Sequence, residues 1–184
     1  MGDHAETLCD RAGAGDMSAA SELVRLFYER IFAYFRRLCG NDDDAADLTQ
    51  KTFFKVWTSL GSFRRRSSFS TWLHGIAHHV YADWRRTNQA ANAQTDQWWE
   101  RRAADGSSPF EDAAQRDMAR RLFALVERLE EGAREVVHLH YYQGLSLNDT
   151  AQTLGIATST VKYRLRAALD FLRSQTDAPE LRTT

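Results

Sequence analysis

The sequence predicts an all-α chain: two small helical bundles joined by a flexible linker, the C-terminal one containing a helix-turn-helix. Three observations predict it. Apolar residues recur at steps of three and four over long stretches, which is the period of a helix face buried on one side. Breakers are scarce, with 2 prolines and 10 glycines in 184 residues, and Leu, Ala, Arg and Glu dominate. The periodicity also vanishes between Thr87 and Gln115, where Asn, Gln, Ala and Asp prevail and Gly106-Ser107-Ser108-Pro109 breaks any helix.

Taken in order, the first long periodic segment follows Gly15-Asp16, where Asp16 can cap a helix. Leu23, Phe27, Ile31, Tyr34 and Leu38 mark its inner face, and Gly40 ends it. The cluster Asp42-Asp43-Asp44 suits the positive end of the next helix dipole. That second helix carries Leu48, Thr52, Phe53, Val56, Trp57 and Leu60 on one side and stops at Gly61. A basic loop, Ser62 to Phe69, leads to a third helix opened by Ser70 or Thr71, with Leu73, Ile76, Ala77, Val80 and Trp84 spaced for burial. The expected organisation is a first domain over 1–88, a linker over 89–116, a second domain over 117–175 and a tail over 176–184. In the second domain Met118, Leu122, Leu125, Val126 and Leu129 share a face, a short helix covers about Ala133 to Tyr142 and ends at Gly144, and two further helices flank Leu154-Gly155-Ile156.

Composition excludes more than it selects. Lys plus Arg number 24 and Asp plus Glu 25, a formal net charge of −1, so any nucleic-acid contact must rest on local patches. Two cysteines, Cys9 and Cys39, match neither a disulfide scaffold nor a metal spacing, and a reducing cytosol is the expected compartment. No apolar run is long enough to span a bilayer, and Met1 to Asp10 is too polar for a signal peptide. A soluble, cytoplasmic, helical protein without membrane insertion is therefore expected. His74 and His78 stand at i, i+4, a spacing that can hold a metal, but no HExxH pattern or third ligand accompanies them, and no metal or cofactor is predicted. His138 and His140, two apart in a helical stretch, cannot share a face. No nucleophile–base constellation, phosphate-cradling Gly-rich loop or catalytic carboxylate pair is present, so no enzyme is expected.

The most informative stretch runs from Gly144 to Lys162. Ser146 with Asp149 forms a capping-box pattern, Ala151 is small where two helices cross, and Gly155 can take the positive φ of a tight turn. Thr158 or Ser159 is expected to cap the last helix, whose Val161, Leu165, Ala168, Leu169 and Leu172 form a buried stripe. Thr158, Ser159, Thr160, Lys162, Tyr163, Arg164 and Arg166 are then the candidates to meet base edges and phosphates. From Ala157 to Arg173 only Asp170 opposes Lys162, Arg164, Arg166 and Arg173.

The first half narrows the choice. Asp47-Leu48-Thr49-Gln50-Lys51-Thr52-Phe53-Phe54-Lys55-Val56-Trp57 resembles the "DLxQexFxxxW" helix of sigma factors. Phe69-Ser70-Thr71-Trp72-Leu73-His74-Gly75-Ile76-Ala77, followed by Asp83-Trp84-Arg85-Arg86, is similar to their "FxxWLxxIAxNxxxDxxR" promoter-melting helix. The helix-turn-helix resembles the family's second DNA-binding domain. The matches fall in family order across nearly the whole chain apart from linker and tail, and the lack of a middle domain resembles the extracytoplasmic-function (ECF) group. Three positions depart: Lys51 replaces a usual Glu, His79 a usual Asn, and Leu129-Glu130 a usual Leu-Pro. The His79 change bears on the minus-10 base preference, not the fold.

The resemblance implies a subunit that binds RNA polymerase core (β and β′) through Asp47, Gln50, Phe54 and Trp57. It implies single-stranded minus-10 DNA at Phe63, Arg64, Arg65, Arg66, His79, Tyr81, Asp83, Trp84, Arg85 and Arg86, where exposed rings stack on bases and guanidinium groups pair with phosphates. A stacking pocket offsets the cost of flipping a base. It implies double-stranded minus-35 DNA at the last helix, and an anti-sigma factor that occludes both domains. Trp72 and Trp84 can equally be core residues. The linker acids Asp96, Glu100, Asp105, Glu111 and Asp112 fit a path through basic protein, while Trp98-Trp99 fits either that path or a regulator. The rival readings are a stand-alone helix-turn-helix transcriptional regulator, dimeric on a palindrome, and an interaction protein that sequesters a regulator.

Overall fold

The computed structural model describes residues 2–88, 118 and 121–176, so the linker expected over 89–116, with Trp98-Trp99, and residues 177–184 lie outside the described residues. All regular structure among the described residues is helical, divided between two compact units.

The N-terminal unit begins with a helix that the periodicity analysis did not anticipate. Helix α1 (Gly2–Gly13) buries Ala5, Leu8, Cys9 and Ala12 at i, i+3, i+4 and i+7. The spacing is ideal, but alanines and a cysteine carry little apolar weight, so the stripe is quiet in hydropathy. Gly15 at φ +94° turns the chain into Asp16. The Asp16 carboxylate accepts from Ser18 N (2.9 Å) and Ala19 N (3.1 Å) to start α2 (Met17–Cys39), and the Arg11 guanidinium donates to it at 2.6 Å. These bonds, led by that from Ala19 N, hold its carboxyl below the usual range.

Helix α2 buries Leu23, Phe27, Ile31 and Tyr34 as expected, but Leu38 is only half-buried, with Phe35 and Cys39 taking the inner positions. Gly40, at φ +73°, closes the helix by donating its N–H to the Arg36 carbonyl. Asn41 Oδ1 accepts from Asp44 N (2.8 Å) to cap α3 (Asp42–Ser59), whose acidic first turn faces the dipole as predicted. Leu48, Thr52, Val56 and Leu60 are buried, with Phe53 half-buried. Trp57, expected among them, is instead 42% exposed. The helix yields to a 3₁₀ turn, Leu60–Ser62. Helix α4 (Phe69–Asn88) is capped by Ser68 rather than Ser70 or Thr71: the Ser68 hydroxyl accepts from Thr71 N at 3.1 Å. Leu73, Ala77, Val80 and Trp84 are buried, and Ile76 half-buried.

Helix α4 meets α2 along its length. Phe27 packs edge-on to Phe69 (5.3 Å between centroids), Tyr34 lies against the buried His74 (6.0 Å), and the Tyr81 hydroxyl donates to the Leu38 carbonyl (3.3 Å). The order of these contacts makes the two helices run in the same direction, which only an intervening α3 of nearly their length allows.

In the C-terminal unit α5 covers 121–127, α6 (Glu131–Val137) continues into a π-helical turn (His138–Tyr142), and α7 (Leu147–Leu154) and α8 (Thr158–Thr176) complete it. Val126, Leu129, Ala133, Val137 and Ala168 form its core, with Tyr142, Leu165, Phe171 and Leu172 packed around them. Glu130, where the family has proline, caps α6 by accepting from Gly132 N (3.1 Å) and Ala133 N (3.3 Å). Ser146 caps α7 with Asp149 as its partner: Asp149 N donates to Ser146 Oγ at 3.1 Å, and the Ser146 hydroxyl donates to the Asp149 carboxylate at 2.5 Å. Gly155 takes φ +64° in the turn. The start of α8 differs from expectation: Ala157 holds the cap position through its carbonyl, and Thr158 donates to Asn148 Oδ1 (3.1 Å) on α7, so it ties the two helices instead of capping one.

Two outcomes follow from this packing. A Cβ at Gly155 would meet nothing within 4 Å, so Gly155→Ala should cost only its left-handed backbone, about 1–2 kcal/mol in denaturant unfolding, and Gly155→Asn less. Burial pushes the Cys9 thiol up to about 11, helped by Asp10, and the Cys39 thiol to about 12. An acid whose folded value is raised contributes stability that is complete below its unfolded pKa of about 8.5 and is lost as pH climbs through the folded value. Both thiols should therefore resist iodoacetamide in the native chain near neutral pH and label fully once it unfolds, read by mass spectrometry; rapid native labelling would contradict it.

Candidate nucleic-acid interface

The loop from α3 to α4 carries Phe63, Arg64, Arg65 and Arg66. Phe63 is half-buried, its ring tilted on Trp72 at 4.9 Å and edge-on to Phe69 at 6.0 Å, so it fixes the loop to the start of α4. Trp72 is half-buried. Arg64 and Arg66 are exposed. Arg65 differs from both: it is the one non-glycine among the described residues with positive φ (53°), and its guanidinium is ion-paired with Asp10 of α1.

Trp72, His79, Asp83 and Arg86 recur at i, i+7, i+11 and i+14 and so share one face of α4. His79 is exposed and its Nδ1 donates to the Gly75 carbonyl (2.6 Å), which fixes the ring. Asp83 takes Arg86 at 3.2 Å and Lys55 of α3 at 3.7 Å. Arg85 is half-buried. Burial, then the charges of His79 and Arg85, hold the neighbouring His78 below the ordinary imidazole range, so it stays neutral at pH 7. Tyr81 and Trp84 depart from the expectation of exposed rings: they are 7% and 8% exposed and stack on each other at 5.8 Å. Their positions, i, i+4 and i+7 from Ala77, put them on the core side of α4, where they cannot meet a base. His74 is buried with Nδ1 donating to the Ser70 carbonyl (2.7 Å), and no group of three or more His, Cys, Asp or Glu suited to a metal occurs among the described residues.

On α3, Asp47, Gln50, Phe54 and Trp57 all lie on one exposed face, with Phe54 69% exposed. Lys51 pairs with Asp47 across one turn at 2.5 Å. Trp57 also borders a groove of about 300 Å³ between α2 and α3, lined by Met17, Val24, Phe53, Val56 and Leu60.

In the C-terminal unit Ser159, Lys162, Tyr163 and Arg166 are exposed at i, i+3, i+4 and i+7, one outward face of α8, with Tyr163 74% exposed. Thr158 and Thr160 flank it, half-buried. Arg164 does not join that face. It is half-buried, and its guanidinium lies over Gly132 of α6 so closely that a Cβ there would come within 2.6 Å of Cζ. Sequence reading missed Asp10, Asn148 and Gly132 as the residues that fix Arg65, Thr158 and Arg164, because each acts across a tertiary contact. An outward polar quartet at the start of a second helix, with glycine in the turn before it, is the geometry that places side chains against base edges and phosphates in a major groove.

Comparison with known proteins agrees. Residues 23–91 match the family model Sigma-70 region 2, and residues 119–172 match Sigma-70, region 4. The chain is 27% identical over 169 residues to the ECF RNA polymerase sigma factor SigW of Bacillus subtilis, covering 88% of this chain and 90% of that protein. It is 30% identical over 163 residues to the RNA polymerase sigma factor YlaC of the same organism, covering 86% of this chain and 93% of that one. Among solved structures, CnrH in complex with the cytosolic domain of CnrY shares the fold at a TM-score of 0.71 and 24% identity, covering 96% of this chain and 99% of that chain. The sigma factor RpoE of the complex with the anti-sigma factor NepR from Bartonella quintana shares it at 0.64 and 22%, covering 86% and 97%. With both sigma-70 regions present in order, and with such identity to full-length sigma factors, the chain belongs to the RNA polymerase sigma factors, in their extracytoplasmic-function group.

Proposed function

We propose that this chain binds RNA polymerase core, β and β′, and directs promoter-specific initiation of transcription, acting by binding and not by catalysis. Residues 1–88 serve core binding and minus-10 recognition and melting, and residues 117–175 serve minus-35 recognition. The observation that carries the reading is the α3 face of Asp47, Gln50, Phe54 and Trp57. Two large rings exposed on one helix cost hydration in the free chain and call for a protein cover. Among the described residues no helix is long and apolar enough to cross a membrane, and the cytoplasm, where polymerase works, is the proposed location. An anti-sigma factor covering this face when core is absent is part of the same proposal.

For DNA, Ser159, Lys162, Tyr163 and Arg166 form the minus-35 reading face, with Thr158, Thr160 and Arg164 setting its position. Phe63, Arg64, Arg66, His79, Asp83, Arg85 and Arg86 meet the minus-10 strand, with Tyr81 and Trp84 supporting α4 from inside. His79 presents an imidazole where the family has an amide, so the base preferred there should differ from that of its relatives.

Phe54→Ala, which removes an exposed ring without touching the core, should weaken assembly with polymerase core about ten-fold while leaving the melting temperature unchanged. Undiminished assembly would remove the face from the interface. Lys162→Ala with Arg166→Ala should abolish initiation from promoters selected out of a library. On duplex minus-35 DNA the same pair should flatten the dependence of log affinity on log salt by about two, one for each lost phosphate partner. If core polymerase stays silent with the intact chain while the chain alone binds a palindromic duplex, the sigma reading is wrong.

A further inference from the structure

Arg65 is the middle one of three consecutive arginines in the loop proposed to meet single-stranded DNA, yet its surroundings are unlike those of Arg64 and Arg66. Its guanidinium is already occupied by the Asp10 carboxylate, from a residue 55 positions away in sequence. Glu6, one turn earlier on α1, adds a second negative charge that favours the bound guanidinium, after the hydrogen bond and the charge of Asp10 itself. Its backbone stands in the left-handed region, φ 53°, which a residue with a Cβ adopts only where the surroundings hold it. Helix α1 is a firm platform for that hold, because Ala5, Leu8, Cys9 and Ala12 are all buried on its other side. It also lies before the residues matched by the region 2 family model, which begins at residue 23.

A guanidinium accepts a carboxylate and a phosphate through the same forked donors. Asp10 therefore competes with DNA for one of the three cations. Both partners of the pair are about half exposed, the setting in which such pairs are weak and exchangeable. We propose that Asp10 is an internal stand-in for a DNA phosphate: it withholds Arg65 from the strand, fixes the loop between α3 and α4, and so makes α1 a regulator of how tightly that loop grips single-stranded DNA. The inference rests on the reading that this loop meets DNA.

The test uses holoenzyme assembled from polymerase core and the full chain, titrated with fluorescein-labelled single-stranded oligothymidylate over a range of salt. In the intact chain, Arg65→Ala should change little, because Arg65 is not in contact with the strand. Asp10→Asn should raise affinity a few-fold at low salt and steepen the slope of log affinity against log salt by about 0.7, the value of one extra phosphate on a single strand. Adding Arg65→Ala to Asp10→Asn should cancel the gain. Arg64→Ala with Arg66→Ala, made in parallel, reports on the loop reading itself and should flatten the slope. If that pair flattens the slope while Asp10→Asn changes nothing, the loop binds DNA and the proposal is overturned. If Asp10→Asn and Arg65→Ala each weaken binding to the same degree, Asp10 presents Arg65 to DNA instead of withholding it, which also overturns the proposal. If no variant alters binding, the loop is not a DNA contact, and both readings fall together.

Discussion

An amphipathic helix of ordinary length is marginal in water, and its apolar stripe has to be covered before its backbone hydrogen bonds hold. In the N-terminal unit that requirement falls on α2. Its inner residues Phe27, Ile31, Tyr34 and Phe35 are buried, and α4 is held to it at Phe27, Tyr34 and Leu38. Because α2 and α4 run the same way, the chain has to travel back through α3 between them. That return path leaves the far side of α3 without a partner, and it places the loop between α3 and α4, here a basic one, at one end of the unit. Both features attributed to function, the Phe54–Trp57 face and the arginine loop, are consequences of covering α2.

The same economy shapes the second unit at a smaller scale. Val161 and Ala168 are wholly buried on α8, so residues one or two positions from them, on the opposite side of the helix, face outward, and these are Ser159, Lys162, Tyr163 and Arg166. Gly155 sets the angle at which that face is presented, and the Thr158–Asn148 bond fixes it against α7. Glu130 in place of the family's proline leaves the start of α6 intact, since its carboxylate accepts from Gly132 N and Ala133 N, two of the N–H groups that a helix start leaves unpaired.

Charge is distributed with a comparable logic. The chain is close to neutral overall, and several cations are answered locally: Arg11 by Asp16, Lys51 by Asp47, Arg65 by Asp10 and Arg134 by Glu127. Local neutralisation keeps the long-range field weak. Departures from family residues are absorbed in the same way. Lys51 finds its carboxylate one turn back, and His79 anchors its ring on the Gly75 carbonyl.

The helical class, the two units, the turn at Gly155, the caps at Asp16 and Ser146, and the outward Lys162, Tyr163 and Arg166 are all legible in the order of residues alone. All of these follow from spacing along one helix or from chemistry within a few residues. Helix α1 escaped notice because its stripe of Ala5, Leu8, Cys9 and Ala12 has the right period but little apolar weight, and only the surface it covers makes it a helix of the core. Tertiary structure alone decided that Tyr81 and Trp84 turn inward while Trp57 turns out, since an aromatic at helical spacing satisfies either face until the neighbouring helix is placed. It alone also decided that Arg65 and Arg164, two arginines indistinguishable in sequence from their neighbours, are held by Asp10 and packed over Gly132. Local pattern shows that a charge is present; whether another part of the chain has already met it depends on contacts between residues far apart in sequence.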